Sequence, residues 1–87
     1  MKRDRLQVIH DILKAISDGK KKPTHIMYRA NLSHQMLEEY LSDLISKGFI
    51  AEEKDKKGKI YALREKGFNY LQKYNMIKDF TDSFGLG

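Results

Sequence analysis

The stretch Thr24-His25-Ile26-Met27-Tyr28-Arg29-Ala30-Asn31-Leu32-Ser33-His34-Gln35-Met36-Leu37 decides the fold. It holds two helix-start signals, Thr24 and Ser33, nine positions apart. Each can accept a hydrogen bond from an unpaired backbone N–H of a first helical turn. Thr24 is read as the cap of a short helix through Ile26, Met27 and Tyr28 to about Ala30, and Asn31-Leu32 as a turn. Ser33 then caps a helix over 34–47. Its inner stripe is Leu37, Leu41 and Leu44, widened by Met36, Tyr40 and Ile45, and Gly48 stops it. Two helices joined by so short a turn form a helix-turn-helix.

Upstream, Leu6, Ile9, Leu13 and Ile16 recur at steps of three and four, with Val8 and Ile12 broadening the stripe. The spacing predicts a helix over 4–18, capped by Asp4 and ended by Gly19. Lys20-Lys21-Lys22-Pro23 is a basic turn, because the residue before proline resists helix. Downstream, Phe49-Ile50-Ala51 and Ile60-Tyr61-Ala62-Leu63 are short apolar runs with β-branched and aromatic content. The segment 52–59 between them reads as the charged tip of a hairpin, with Gly58 supplying the positive φ of its turn. A last helix runs from about Glu65 toward Ser83, carrying Phe68, Leu71, Tyr74, Ile77 and Phe80, and frays at Gly85-Leu86-Gly87. The order helix, helix, helix, hairpin, helix predicts an α+β, mostly helical, winged helix-turn-helix. Residues 1–64 would form the winged domain and 65–87 a C-terminal helix.

An 87-residue chain suits one domain with a modest core. Without cysteine it has no disulfide, thiol chemistry or cysteine-held zinc. Seventeen Lys and Arg against twelve Asp and Glu give +5, a balance that favours nucleic acid as partner. No apolar run approaches the roughly 18 residues of a membrane span. The charged start Met1-Lys2-Arg3-Asp4-Arg5, followed by a stripe that Asp11 and Lys14 interrupt, is not the pattern of a signal peptide. A cytoplasmic location is expected, with nucleoid association if the chain is archaeal.

Several strings taken together carry a likeness to a known family: 24–33, then Tyr40-Leu41 and Leu44, Gly48-Phe49-Ile50, Tyr61-Ala62-Leu63 and Lys66-Gly67. Over roughly 6–75 the chain resembles the archaeal winged-helix DNA-binding family typified by Sso10a. The resemblance implies DNA binding, as transcription regulator or chromatin-type protein, and a C-terminal helix paired antiparallel with that of a second subunit. Two departures stand out. Arg64 occupies a position where the family has a capping threonine. The nineteen residues from Glu65 to Ser83 also make a helix of only about 28 Å, enough for a small contact between subunits.

Three regions are candidates for contact with double-stranded DNA. The first turn of the second helix-turn-helix helix offers Ser33, His34 and Gln35 to base edges, glutamine being able to read adenine. Lys54, Lys56, Lys57 and Lys59 surround the wing turn and suit phosphate rather than bases. Lys20, Lys21 and Lys22 precede a helix N-terminus where Thr24 adds a hydroxyl, and Tyr28 and Arg29 are further candidates. Tyr28, Tyr40, Phe49, Tyr61 and Phe68 are otherwise read as core, and Lys2, Arg3 and Arg5 as decoration of the first helix. Against DNA stand Glu38, Glu39 and Asp43, three negative charges on the helix that would approach a polyanion. They keep open the alternative of a winged helix that binds protein instead.

Tyr70, Tyr74, Ile77, Thr81 and Phe84 follow four-three-four-three spacing, which suits a packed helix pair and a homodimer. His10, His25 and His34 lie in separate elements without metal-ligand spacing, and no nucleophile elbow or phosphate loop occurs. No catalysis, metal, cofactor or small-molecule ligand is expected.

Overall fold

The computed structural model describes residues 3–86; Met1, Lys2 and Gly87 lie outside them. Helices α1 (Arg5–Ser17), α2 (Pro23–Ala30) and α3 (His34–Ser46) are followed by the strands β1 (Ile50–Asp55) and β2 (Gly58–Leu63) and by α4 (Glu65–Ser83). This is the predicted order of elements.

Local chemistry sets the boundaries. Asp4 caps α1 by accepting from the Gln7 N–H at 2.8 Å, and Ser33 caps α3 by accepting from Met36 at 3.2 Å. Thr24 does not cap α2. The helix begins one residue earlier, at Pro23, with Lys22 extended before it and no side-chain cap. Proline at the first helical position has φ preset and no N–H to leave unsatisfied, so it displaces the threonine inward. Between α2 and α3, Asn31 takes the left-handed conformation at φ 53°. Its N–H donates to the Tyr28 carbonyl, and the next N–H, of Leu32, reaches back to Met27. This closure aims α3 away from α2 within three residues.

The hairpin departs from expectation. The charged segment is not a loose tip but part of the strands, which pair from Ile50↔Leu63 out to Asp55↔Gly58. The turn is Lys56-Lys57 alone, with Asp55 Oδ1 accepting from the Lys57 N–H at 2.8 Å and Gly58 opening β2 at φ 130°. Ladder bonds join backbone groups, so polar side chains remain compatible with pairing wherever the faces are in water. Ile50, Glu52 and Lys54 share one face with Leu63, Tyr61 and Lys59. That face is core at its base and charged toward its tip.

Ile12, Leu13, Ile26, Leu37, Leu41, Leu44 and Ile50 are the fully buried large side chains, joined by Val8, Ile16, Tyr61 and Leu71. Leu6, expected in the stripe of α1, is 59% exposed. Leu6 points to nearly the same side as buried Leu13, seven residues on, but it stands in the first turn of α1, where it lines an open groove beside the end of α4. Two aromatics expected in the core are also outside. Tyr28 (78% exposed) sits on the far side of α2 from Ile26 and Ala30, and Phe68 (55%) is turned away from the inward pair Gly67 and Leu71. Tyr61 is buried, and Tyr40 and Phe49 pack against the core.

The first half of α4 lies on α1. The Tyr70 hydroxyl donates to the Leu6 carbonyl at 2.7 Å, and Tyr74 stacks on His10 with ring centres 4.2 Å apart. Arg3 and Arg5 do more than decorate. Arg3 bonds Asp11 at 2.7 Å and the Asn31 carbonyl at 3.0 Å, which ties α1 to the end of α2. Arg5 reaches Asp43 of α3 at 2.7 Å. Arg29 bonds Asp18 at 2.7 Å, across from α2 to the end of α1.

A Cβ built on Gly67 would stand 2.6 Å from the Phe49 carbonyl oxygen and 3.2 Å from Leu63 Cδ2. Backbone cannot yield there as a flexible side chain can, so Gly67→Ala should destabilise the domain by roughly 1–3 kcal/mol. A thermal melt unchanged from wild type would refute this close approach of α4.

Asp18 is held below the usual carboxylate range chiefly by its hydrogen bond to Lys14, with Arg29 beside it; Asp43 is held there chiefly by Lys47, with Arg5. Carboxylates with lowered folded-state pKa stabilise fully above the unfolded value of about 3.9, and that contribution fades as pH falls from there through the folded value. The melting temperature should therefore drop below about pH 4, and Asp18→Asn with Asp43→Asn should flatten that drop. Calorimetry from pH 7 to 2 measures it, and an acid limb of unaltered steepness in the double variant would exclude these two groups.

Candidate nucleic-acid interface

Burial of Leu37, Leu41 and Leu44 fixes which side of α3 meets solvent. At 3.6 residues per turn, Gln35, Glu39, Ser42 and Ser46 lie opposite that stripe, and all four are exposed. Gln35 was expected there. Ser42 and Ser46 were missed, although the same periodicity that marks the core stripe points to them. His34 opens the helix with its side chain in solvent and Nε2 3.8 Å from Glu38 Oε1. The Ser33 oxygen is occupied as cap acceptor, which leaves its O–H as a donor for an outside group.

The acidic residues of α3 have different surroundings. Asp43 lies between two cations, Arg5 Nη2 at 2.7 Å and Lys47 Nζ at 2.9 Å. Glu38 stands toward the wing. There the Tyr61 hydroxyl donates to Glu52 Oε1 at 3.4 Å and the Lys59 ammonium lies 3.6 Å from the same oxygen. Burial, then the charges of Glu52 and Glu38, push the Tyr61 phenol above its ordinary range, so it remains a neutral donor. Glu39 makes no ion pair among the described residues.

On the wing, Lys54 and Lys59 face each other across the ladder, and Lys56 and Lys57 form the turn beyond them. Like charges directly opposite repel. The diagonal approach of Lys59 to Glu52 relieves part of this. Lys54, Lys56 and Lys57 make no ion pair among the described residues, and neither do Lys20, Lys21 and Lys22.

The two groups of lysines are joined. The Tyr61 N–H of β2 donates to the Lys21 carbonyl at 3.0 Å, so the turn before α2 lies along the edge of β2 that β1 leaves free. Sequence spacing could not show this, since forty residues separate the two partners. Thr24 is exposed in the first turn of α2. Tyr28 shares a shallow depression with Lys20, His25 and Arg29. Arg29 is committed to Asp18 and is less free than the lysines.

The stripe expected on α4 divides. Tyr70 and Tyr74 lie against α1, whereas Ile77 and Thr81 line a groove with Leu6 and Gln7, and Phe84 is exposed. Met76, Phe80 and Leu86 are exposed as well, with the Phe80 and Phe84 rings 4.9 Å apart. His10, His25 and His34 stand on α1, α2 and α3, and among the described residues no three His, Asp or Glu gather into a metal-holding group. Among the described residues no helix is long and apolar enough to cross a membrane.

Protein MJ0290 of Methanocaldococcus jannaschii is 37% identical over 77 residues, 88% of this chain and 35% of its own length. MJ0287 of the same archaeon is 44% identical over 55 residues, 63% of this chain and 57% of its own. The chain thus spans about half or less of these curated relatives. The crystal structure of Sso10a-2, a DNA-binding protein from Sulfolobus solfataricus, superposes with a TM-score of 0.78 over 94% of this chain and 85% of that one. Identity there is 20%, so the likeness is one of fold. The winged helix-turn-helix profile matches residues 2–82, and the elements just described are its three helices and wing: the chain belongs to the winged helix-turn-helix family.

Proposed function

We propose that this protein binds double-stranded DNA as a homodimer, with α3 in the major groove and the wing on the adjacent backbone. The observation that carries the reading is the backbone bond from Tyr61 to Lys21. It makes one basic band of Lys20, Lys21, Lys22, Lys54, Lys56, Lys57 and Lys59 along a single small sheet. Lysines on a shared backbone support, six of these seven without an ion pair among the described residues, suit a regular row of phosphates. Ser33, His34 and Gln35 are placed to meet base edges, with Thr24 and Tyr28 supporting phosphate contact. Sso10a-2, which shares the fold, is a DNA-binding protein, and that agrees with this reading. So does the archaeal setting of the relatives, in which a nucleoid-bound cytoplasmic protein has a place. Whether it acts as regulator or chromatin-type protein depends on sequence preference.

A second reading, a winged helix that binds a basic protein partner, is favoured by Glu38 and Glu39, both exposed on α3. Fluorescence anisotropy of labelled duplexes of two unrelated sequences, over a range of salt, separates the two. If each subunit neutralises about three phosphates, the log–log salt slope of a dimer is roughly −5. Lys56→Glu with Lys57→Glu should weaken DNA binding at least tenfold at low salt and leave dimerisation intact. Absence of DNA binding at low salt would favour the protein-partner reading.

The homodimer rests on the distal half of α4. Ile77, Phe84, Met76 and Phe80 present an exposed apolar surface, with half-buried Thr81 at its edge, as an oligomer contact does. Tyr70 and Tyr74 border it. Two-fold pairing would set half-sites about 34–36 Å apart. Ile77→Glu with Phe84→Glu should give a monomer in sedimentation velocity with an unchanged far-UV spectrum. A dimer that survives both charges would place the contact elsewhere.

A further inference from the structure

The side of α3 away from the wing carries a second charged group that the basic band does not include. Arg5, the first residue of α1, reaches across to Asp43, and Lys47, just past the end of α3, meets the same carboxylate. The Arg5 guanidinium also lies 6.0 Å from the centre of the Tyr40 ring. Its side chain is nonetheless 63% exposed, and only one of its nitrogens is engaged with Asp43. The remaining N–H groups are free for an outside acceptor.

A helix with its side chains is about 10–12 Å across, and the major groove is about 12 Å wide. A helix seated there has a phosphate strand on each flank. The wing and Lys21 serve one flank of α3. From the helical positions of Asp43 and Lys47, the other flank is where Arg5 and Lys47 stand. We propose that Arg5 and Lys47 contact phosphate on the strand opposite the wing, and that Asp43 is a positioning residue that holds both cations there. This rests on the DNA reading above. It assigns Asp43 a role other than simple repulsion. A carboxylate shared by two cations orients them, and its own charge is balanced. Glu39, which lines the same depression without an ion pair, remains an ordinary opposing charge.

The test is the salt dependence of duplex binding by the full chain, read by anisotropy. Arg5→Ala and Lys47→Ala should each weaken binding several-fold and make the slope shallower by about 0.9 for every phosphate no longer neutralised. Arg5→Lys should retain the wild-type slope. Glu39→Gln should tighten binding, and Asp43→Asn should not, although both remove one negative charge. The double variant Arg5→Ala/Asp43→Asn decides whether Arg5 touches phosphate or only shields Asp43. A slope still shallower than wild type supports contact, and a return to wild-type affinity and slope overturns it. Unchanged slopes in both single alanine variants, or a gain in Asp43→Asn equal to that in Glu39→Gln, would also overturn it while the DNA reading stands. Wild-type protein that binds no duplex at low salt would remove the DNA reading itself. Far-UV spectra and thermal melts of each variant confirm that the fold is intact, which the exposure of Arg5 at a helix start favours.

Discussion

Ile12 and Leu13 are adjacent and both wholly buried, so α1 must be covered on two sides at once. Adjacent positions of a helix point about 100° apart, and one neighbour cannot shield both. In this domain α2, β2 and the first half of α4 supply the cover, with Ile26, Tyr61 and Leu71 meeting the central helix in one core. The other features follow from that arrangement. β2 has to lie close to α1, which brings its edge alongside the turn that leaves α1 and allows the bond from Tyr61 to Lys21. α4 has to return over α1, which draws Gly67 against the Phe49 carbonyl and admits no side chain there. The single core of a chain this size leaves little for a second layer. The outer sides of α3, the wing and the end of α4 are therefore all free to meet other molecules.

The charges divide by what they can reach. Asp11, Asp18 and Asp43 each bond a basic residue from another element or from beyond the element's end, and Arg3, Arg29 and Arg5 are their partners. Exposed ion pairs contribute little stability each. Their consequence here is placement, because a planar guanidinium bonded to a carboxylate holds the orientation of both. Apart from Lys59, which lies near Glu52, the lysines of the wing and of the turn before α2 have no such partners among the described residues. Lys54 and Lys59 extend from the paired ladder, Lys56 and Lys57 from its tight turn, and Lys21 from backbone bonded to Tyr61, so the starting points of these side chains are set although the side chains are not. A surface of that kind attracts a polyanion without selecting its sequence. Any selectivity has to come from the few polar groups on the outer side of α3.

Much of the fold was legible along the chain because it is written in local chemistry. Asp4 and Ser33 announce helix starts, Gly48 and Asn31 stand where a left-handed residue must, and Leu37, Leu41 and Leu44 trace one helical face. Such signals act between residues within one turn of each other, so the linear order preserves them. The errors fell where local preference met a competitor. Pro23 outcompeted Thr24 for the start of α2, and the backbone ladder extended through residues that read as the charged tip of the hairpin. Tyr28 and Phe68 are apolar enough to be expected inside, but their neighbours Ile26, Ala30, Gly67 and Leu71 took the inward positions.

The sequence by itself determined the elements, their order, the net positive charge and the residues that carry it. It also placed apolar residues along the whole length of the last helix. Only the tertiary structure decided which charges act together. Lys21 and Tyr61, Arg5 and Asp43, and Arg3 and Asn31 are distant in the chain and adjacent in space. No periodicity or spacing encodes such pairs. They exist because helices and strands pack by shape around one core, and the charges on their surfaces are carried to wherever that packing leaves them.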